Sequence, residues 1–219
     1  MVDRVINRLQ ATPGVRSVSI GPVPFRPPHL GGRSLGADGQ RREVAAGVQI
    51  AVVERNYFGT LGIPLTRGRG FEKSDSAASA PVAIASETLA RVLWSGGNAI
   101  GRLVTNLPMS GPGIVTEAQV VGVAKDVRGS LADDGAPGIL YLLRVQNPAF
   151  DRMVATVAAR VTGDTGSAVA LLRAQVARVD RDLPVAAIST MEEQIATALM
   201  TPRLGSSLTR WFSLLAIAL

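Results

Sequence analysis

The order of hydrophobic patterns in this sequence predicts an α+β fold with one subdomain inserted into another. The middle of the chain, about residues 43–150, is dominated by short apolar runs separated by glycine turns. The flanks read helix–strand at the start and strand–helix–strand–helix at the end, so an outer unit is split by the middle one. A third observation sets the scale: 219 residues at 47% hydrophobic can bury a sizeable core in one large domain or two small ones. Aromatics are only 4%, so that core is built from Val, Ala, Leu and Ile.

The elements follow in order. Val2, Val5, Ile6 and Leu9 have the spacing of one helical face, and Pro13 and Gly14 end that helix. "VRSVSIGPVPF" reads as a strand running into prolines. Residues 27–42, "PPHLGGRSLGADGQRR", lack periodicity and are rich in Gly, Pro and Arg, which predicts an exposed loop. "EVAAGVQIAVVERNYF" alternates at Val48, Ile50 and Val52 as a strand does, and a helical turn follows at 56–61. "APVAIASETLARVLW" reads strand, cap, helix, with Ser86 as the N-cap before Leu89, Ala90, Leu93 and Trp94. "AIGRLVTN", "AQVVGVAKDVR" and "GILYLL" are further strands, the second a buried one over 118–128.

Residues 152–163 alternate as a strand. The clearest helix follows, with Val169, Leu172, Val176 and Val179 on one face and Pro184 closing it. "VAAIS" reads as a short strand. A last helix starts at Thr190, with Glu193 at the capping-box position. Trp211 to Leu219 is apolar apart from Ser213. It is shorter than the ~20 residues that span a bilayer, and it reads as the beginning of a transmembrane helix over 204–219. The rival reading is a C-terminal core helix in a soluble binding or interaction module.

Charge and composition exclude several functions. The net charge is +6 and the pI about 10.9, yet the arginines are scattered and the only lysines are Lys73 and Lys125. No run of five to eight basic residues exists, so no nucleic-acid partner is expected. The absence of cysteine removes disulfides, thiolate metal sites and thiol catalysis. The single histidine, His29, stands in the Gly/Pro-rich stretch and is read as a solvated side chain. Asp133–Asp134 and Glu192–Glu193 are adjacent carboxylates that do not face each other across a cleft. Ser86 and Ser189 lack the nucleophile elbow. Neither a dinucleotide fingerprint nor a P-loop is present. No catalytic, cofactor-binding or metal-binding residue is therefore assigned, and the chain is expected not to be an enzyme.

The most patterned stretch is "NYFGTLGIPLTRGRGFEKSD", Asn56 to Asp75. Its glycines permit tight turns with positive φ, and Pro64 limits helix growth. It is followed in order by "APVAIASETLARVLW", "NAIGRLV", "AQVVGVAKDVR" and "GILYLL". This succession resembles the periplasmic core domain of MacB/FtsX-type ABC-transporter permeases, most closely the orphan-permease branch of soil bacteria. The matching residues are Tyr57, Phe58, Leu61, Gly62, Gly68, Arg69, Phe71, Asp75, Ser86, Ala90, Trp94, Ile100, Gly101, Val121, Gly122, Val123, Asp126 and Arg128. "PGVRSVSIGPVPF" resembles an earlier segment of that domain, and residues 190–219 resemble the approach to the second transmembrane helix.

The resemblance implies a split, porter-like βαβ outer subdomain and an inserted small α/β subdomain. It places the outer subdomain at 1–50 and 151–200 and the insert at 51–150. Tyr57, Phe58, Gly62, Gly68, Arg69, Phe71, Asp75, Gly101, Gly122, Asp126 and Arg128 become structural signature residues of the insert. The function implied is that of an extracytoplasmic domain at the cell inner membrane. It does no bond chemistry and passes the motion of membrane helices to an exported substrate or an external partner. The partners implied are an ABC ATPase subunit, reached through membrane helices, a homodimer or pseudo-dimer with a second permease half, and the membrane at the C-terminus. Cofactors: none. Because no strand or apolar helix precedes Val2 and no further apolar helices follow Leu219, the sequence is expected to be a fragment of a permease.

Overall fold

The computed structural model describes residues 2–23, 31–95, 98–105, 107, 113–127, 138–152, 156–179 and 188–197. The first half holds α1 (Val2–Gln10), β1 (Val15–Ile20), β2 (Gly31–Ala37), β3 (Gln40–Val53), α2 (Tyr57–Leu61), β4 (Leu65–Gly68), β5 (Val82–Ser86) and α3 (Glu87–Leu93). The second holds β6 (Leu103–Thr105), β7 (Ala118–Ala124), β8 (Gly138–Leu143), β9 (Val157–Val161) and α4 (Thr165–Val179), then α5 at 191–197. Short 3-10 turns occupy Arg144–Gln146 and Pro148–Arg152.

The two ends of the chain build one unit. β1 and β9 pair antiparallel, with Val18 opposite Ala159 and Ile20 opposite Val157. α1 and α4 pack on this pair and on each other. Val5, Ile6 and Leu9 of α1 meet Val18 and Ile20, and Leu172, Val176 and Val179 of α4 close over them. Helical periodicity in the sequence thus becomes a single apolar seam. Asp164, just before α4, caps it: its Oδ2 accepts the Ser167 N–H at 2.7 Å. This bond to the charged form holds the Asp164 carboxyl below the usual carboxylate range.

The middle of the chain forms a seven-stranded mixed sheet in the order β4-β7-β5-β8-β3-β2-β6. β6 also pairs with β7, Leu103 against Gln119 and Val104 against Ala118. Six strands therefore close into a ring, and β4 continues the same edge of β7 at Gly122 to Ala124. The central strands are buried on both faces, which is why "VAIAS" and "GILYLL" read as continuous apolar runs. Period-two alternation divides them. Ala83, Ala85, Leu140, Leu142, Val48 and Ile50 join one cluster with α3, whereas Val82, Ile84, Ile139, Tyr141, Ala51 and Val53 join another with α2. Ser86 Oγ accepts the Leu89 N–H at 3.3 Å and the Ile139 N–H at 3.1 Å, so the cap that starts α3 also ties it to β8.

Several sequence-based expectations change. Residues 31–37 are a strand and not part of a loop over 27–42, because β3 supplies a hydrogen-bonded partner along their length. The connection is the tight turn Asp38-Gly39, with φ of 51° and 75°. Asp-Gly is a strong hairpin signal in its own right. Residues 31–50, placed by the sequence in the outer subdomain, hydrogen-bond into the ring as β2 and most of β3. β4 goes unannounced by the sequence, and the buried strand expected over 118–128 ends at Ala124. Of the expected strand "VAAIS", residues 188–189 are not a strand and 185–187 lie outside the described residues. The last helix carries the capping box: Thr190 Oγ1 accepts the Glu193 N–H at 3.1 Å, and Glu193 Oε2 accepts the Thr190 N–H at 2.8 Å. His29, Arg128, Asp133–Asp134 and the apolar end Trp211–Leu219 lie outside the described residues.

Candidate functional site

The residues between β3 and β5 fold over the outer face of the ring and meet the outer unit. Tyr57, Phe58, Phe71 and Tyr141 form an aromatic group at the base. Phe58 stands edge-on to Tyr57 and Tyr141, with centroids 5.4 and 4.9 Å apart, and lies 6.2 Å from Phe71. Such pairs add roughly 0.5–1.5 kcal/mol beyond the area they bury. Burial pushes the Tyr57 hydroxyl far above the usual phenol range, helped by Tyr141, and burial does the same to Tyr141, helped by the charge of Asp126. Both rings stay neutral and serve as packing with one polar end.

A strap over residues 69–75 closes this group. Arg69 Nη1 and Nη2 donate to the two oxygens of Asp75 at 2.8 and 3.0 Å. Asp75 Oδ2 also accepts the Glu72 N–H at 2.7 Å. The guanidinium hydrogen bond, followed by that N–H, outweighs burial and holds the Asp75 carboxyl below its usual value. Arg55 Nε and Nη2 donate to the Glu72 and Asp75 carbonyls. Phe71 is thereby pinned against Phe58. Beside the strap, Gly68 of β4 and Gly122 of β7 are register partners.

The other signature residues sit apart from the strap. Gly62 ends α2 in the left-handed conformation, with φ 72°. Gly101 has φ 83° and donates its N–H to the Val120 carbonyl at the entry to β6. Asp126 accepts the Thr88 N–H at 2.9 Å and the Thr88 hydroxyl at 2.8 Å, which fixes the first turn of α3. The structure therefore brings Tyr57, Phe58, Phe71, Arg69 and Asp75 together and places Gly101 and Asp126 elsewhere in the insert.

Of the residues that join the two units, the sequence singled out Tyr57 but missed Glu54, Asn56, Arg160 and Arg144. The Glu54 N–H donates to the Ile20 carbonyl at 2.9 Å, so the end of β3 is stitched to the end of β1. Asn56 Nδ2 donates to the Val18 carbonyl at 2.8 Å, and the Tyr57 hydroxyl to the Pro22 carbonyl at 2.6 Å. From β9, Arg160 Nε donates to the Thr60 carbonyl at 2.9 Å, beneath Gly62. Gly21 passes against the face of Tyr57, where an added Cβ would come within 2.6 Å of the ring. After β8, Arg144 donates to Glu54 Oε1 at 2.5 Å and to Asp3 Oδ1 of α1. α2 is thus the peg on which the outer unit hangs. What the arrangement does chemically is hold two bodies in register through directional polar bonds. Among the described residues no three His, Cys, Asp or Glu side chains gather as metal ligands. No helix among them is long and apolar enough to cross a membrane.

Residues 4–179 match the family model described as the MacB-like periplasmic core domain. The chain is 31% identical over 185 residues to the macrolide export ATP-binding/permease protein MacB 1/2 of Paracoccus denitrificans, an alignment that covers 83% of this chain and 24% of that protein. The chain thus spans about a quarter of that relative's length. The periplasmic region of MacB from Actinobacillus actinomycetemcomitans superposes with a TM-score of 0.58 at 15% identity, over 81% of this chain and 73% of that one. The extracellular domain of the noncanonic ABC-type transporter YknZ from Gram-positive bacteria gives 0.53 at 16% identity, over 82% of each chain.

Proposed function

The chain belongs to the MacB-like periplasmic core domain family, and from that premise we propose that it works outside the cytoplasm as part of an ABC-type permease. It carries no bond chemistry. It passes displacement between membrane helices and an exported substrate or an external partner. The outer unit, 2–23 and 156–179, continues toward the membrane through α5 and a transmembrane helix beginning near 204. The ring, 31–152, projects from it as the surface offered to cargo or partner. Energy comes from an ABC ATPase subunit that acts on the membrane helices, and the permease works as a homodimer or as a pseudo-dimer with a second half. The eleven signature residues serve to hold the insert in shape. Nucleic acid is not a partner.

The observation that supports this reading best is the junction at α2. A body that relays motion must stay attached to its neighbour, and the two units here are joined by backbone-directed bonds from Glu54, Asn56, Tyr57 and Arg160. These 219 residues contain no cysteine, and the unsubstituted permease gives the background labelling. Lys73→Cys, on the exposed strap, is introduced into the full permease in its source cell. A small charged thiol reagent that cannot cross the inner membrane should label it in intact cells. Labelling that appears only after lysis would overturn the reading.

A further inference from the structure

We propose that the junction between the outer unit and the ring is a hinge, and that Arg144 is the latch that sets its angle. The inference rests on the transmission reading above and names how the relay would be held at rest.

The three apolar clusters do not cross the junction. One contains only residues of α1, β1, β9 and α4, and the other two contain only residues of the ring, its covering helices and its loops. Among the described residues, contact between the two bodies is therefore mainly polar, beside the packing of Gly21 on the Tyr57 ring, and small interfaces of that kind leave relative motion as the default. The bonds from Glu54, Asn56, Tyr57 and Arg160 all gather around α2, at the end of β1 and on β9. A set of bonds grouped in one place prevents separation but resists rotation weakly. α2 is the pivot.

Arg144 reaches from Glu54, beside that pivot, to the first turn of α1. Its guanidinium holds two carboxylates at once, Glu54 at the end of β3 and Asp3 on α1. The two ends of this bridge differ. The Arg144 and Glu54 side chains are 14% and 25% exposed, whereas Asp3 is 67% exposed. Water can replace Arg144 at Asp3 at little cost, because exposed ion pairs contribute only up to about 1 kcal/mol. When α1 swings away, Arg144 keeps Glu54 and no buried charge is stranded. A contact that closes one angle and opens without penalty is a latch.

The test uses the full chain with spin labels on two exposed helical positions, Arg91→Cys on α3 and Arg173→Cys on α4. The parent should show one narrow distance. Arg144→Ala and Asp3→Asn should each enlarge a displaced population by up to about fivefold, as expected for losing a partly exposed pair. Combining them should add nothing beyond Arg144→Ala alone, because that variant has already lost the bond to Asp3. Hydrogen exchange should stay unchanged at the Leu140 amide in the ring and at the Ala158 amide in β9. If Arg144→Ala does not fold, Asp3→Asn alone carries the test, since Asp3 lies on the surface. A distance distribution identical to the parent in Asp3→Asn would overturn the latch, and so would acceleration of exchange throughout the chain. The readout needs neither membrane nor nucleotide. Failure of the labelling experiment in cells would thus sink the transport reading and leave the hinge standing, and the reverse holds as well.

Discussion

Gly68 and Gly122 face each other across β4 and β7 with no room for a side chain on either. A Cβ on Gly68 would lie 2.2 Å from the Val121 carbonyl oxygen, and one on Gly122 would lie 2.3 Å from the Arg69 carbonyl oxygen. The obstacles are backbone, so they cannot rotate away. Gly68 also has φ 72°, a conformation that costs a β-branched residue dearly. Gly68→Val should therefore lower stability by at least ~3 kcal/mol, read as a urea midpoint. Gly101 has φ 83° but open space around its Cβ position. Gly101→Ala should cost only about 1–2 kcal/mol, from the left-handed backbone alone. Equal losses at the two sites would show that close approach at Gly68 is not what matters.

Asp75 gives the fold an acid-sensitive point. Its folded pKa lies below the ordinary 3.8 through the hydrogen bonds from Arg69 and the Glu72 N–H. The stabilisation is thus fully present above the unfolded pKa and is lost as pH falls through the lower folded value. Between pH 7 and 5 the parent should hold constant stability as far as this group is concerned, and from about pH 4 downward it should lose stability faster than Asp75→Asn does. At pH 7, Asp75→Asn should cost about 1.5–3 kcal/mol, the range of charge-assisted hydrogen bonds. Parallel acid titrations of the two proteins would contradict this account.

Phe58 is 5% exposed and touches three other rings. Phe58→Ala should cost about 3–5 kcal/mol, the range for emptying an aromatic core site. Phe58→Leu should recover most of that in chemical denaturation. A loss below ~1 kcal/mol for the alanine variant would mean that the strap collapses onto the space.

Ser86 serves two donors, the Leu89 and Ile139 N–H groups. Ser86→Ala should cost about 2 kcal/mol, at the upper end for an N-cap, because the second orphaned N–H belongs to the buried strand β8. Ser86→Asp should restore the cap to α3 but bury a charge against β8 and stay destabilised. Full recovery by aspartate in thermal melts would mean that the bond to Ile139 contributes nothing.

Elements whose signals are local were legible in the sequence, and those that depend on a distant partner were not. α1 with Val5, Ile6 and Leu9, the strand–cap–helix at Ser86, and the capping box of Thr190 and Glu193 are each written within a few neighbouring residues. β2 has almost no intrinsic strand preference in "GGRSLGA", and it is a strand because β3 pairs with it. The Asp38-Gly39 turn was the one local clue, and the surrounding Gly, Pro and Arg masked it. The same divide runs through the site. The aromatic and glycine residues around Asn56 to Asp75 stand out as a run, yet the Arg69–Asp75 pair spans six residues in no regular element. Arg144 and Asp3 lie 141 residues apart, and no spacing rule reaches that far.

Ring closure also dictates an order of assembly. β3 takes β8 as its parallel partner, Val48 beside Gly138, so the middle of the sheet cannot form until nearly a hundred further residues have been added. Until then the chain carries a 14-residue strand, Gln40–Val53, with one edge unpaired. Its apolar half, ending Gln-Ile-Ala-Val-Val, is a ready template for intermolecular pairing. Its other half begins Gln-Arg-Arg-Glu and folds back on β2, putting charge beside the sticky segment in the manner of a gatekeeper. A chain delivered across a membrane from its N-terminus would present this hairpin first and wait longest to cover it. The interval before β8 arrives is the period in which this protein is most open to aggregation.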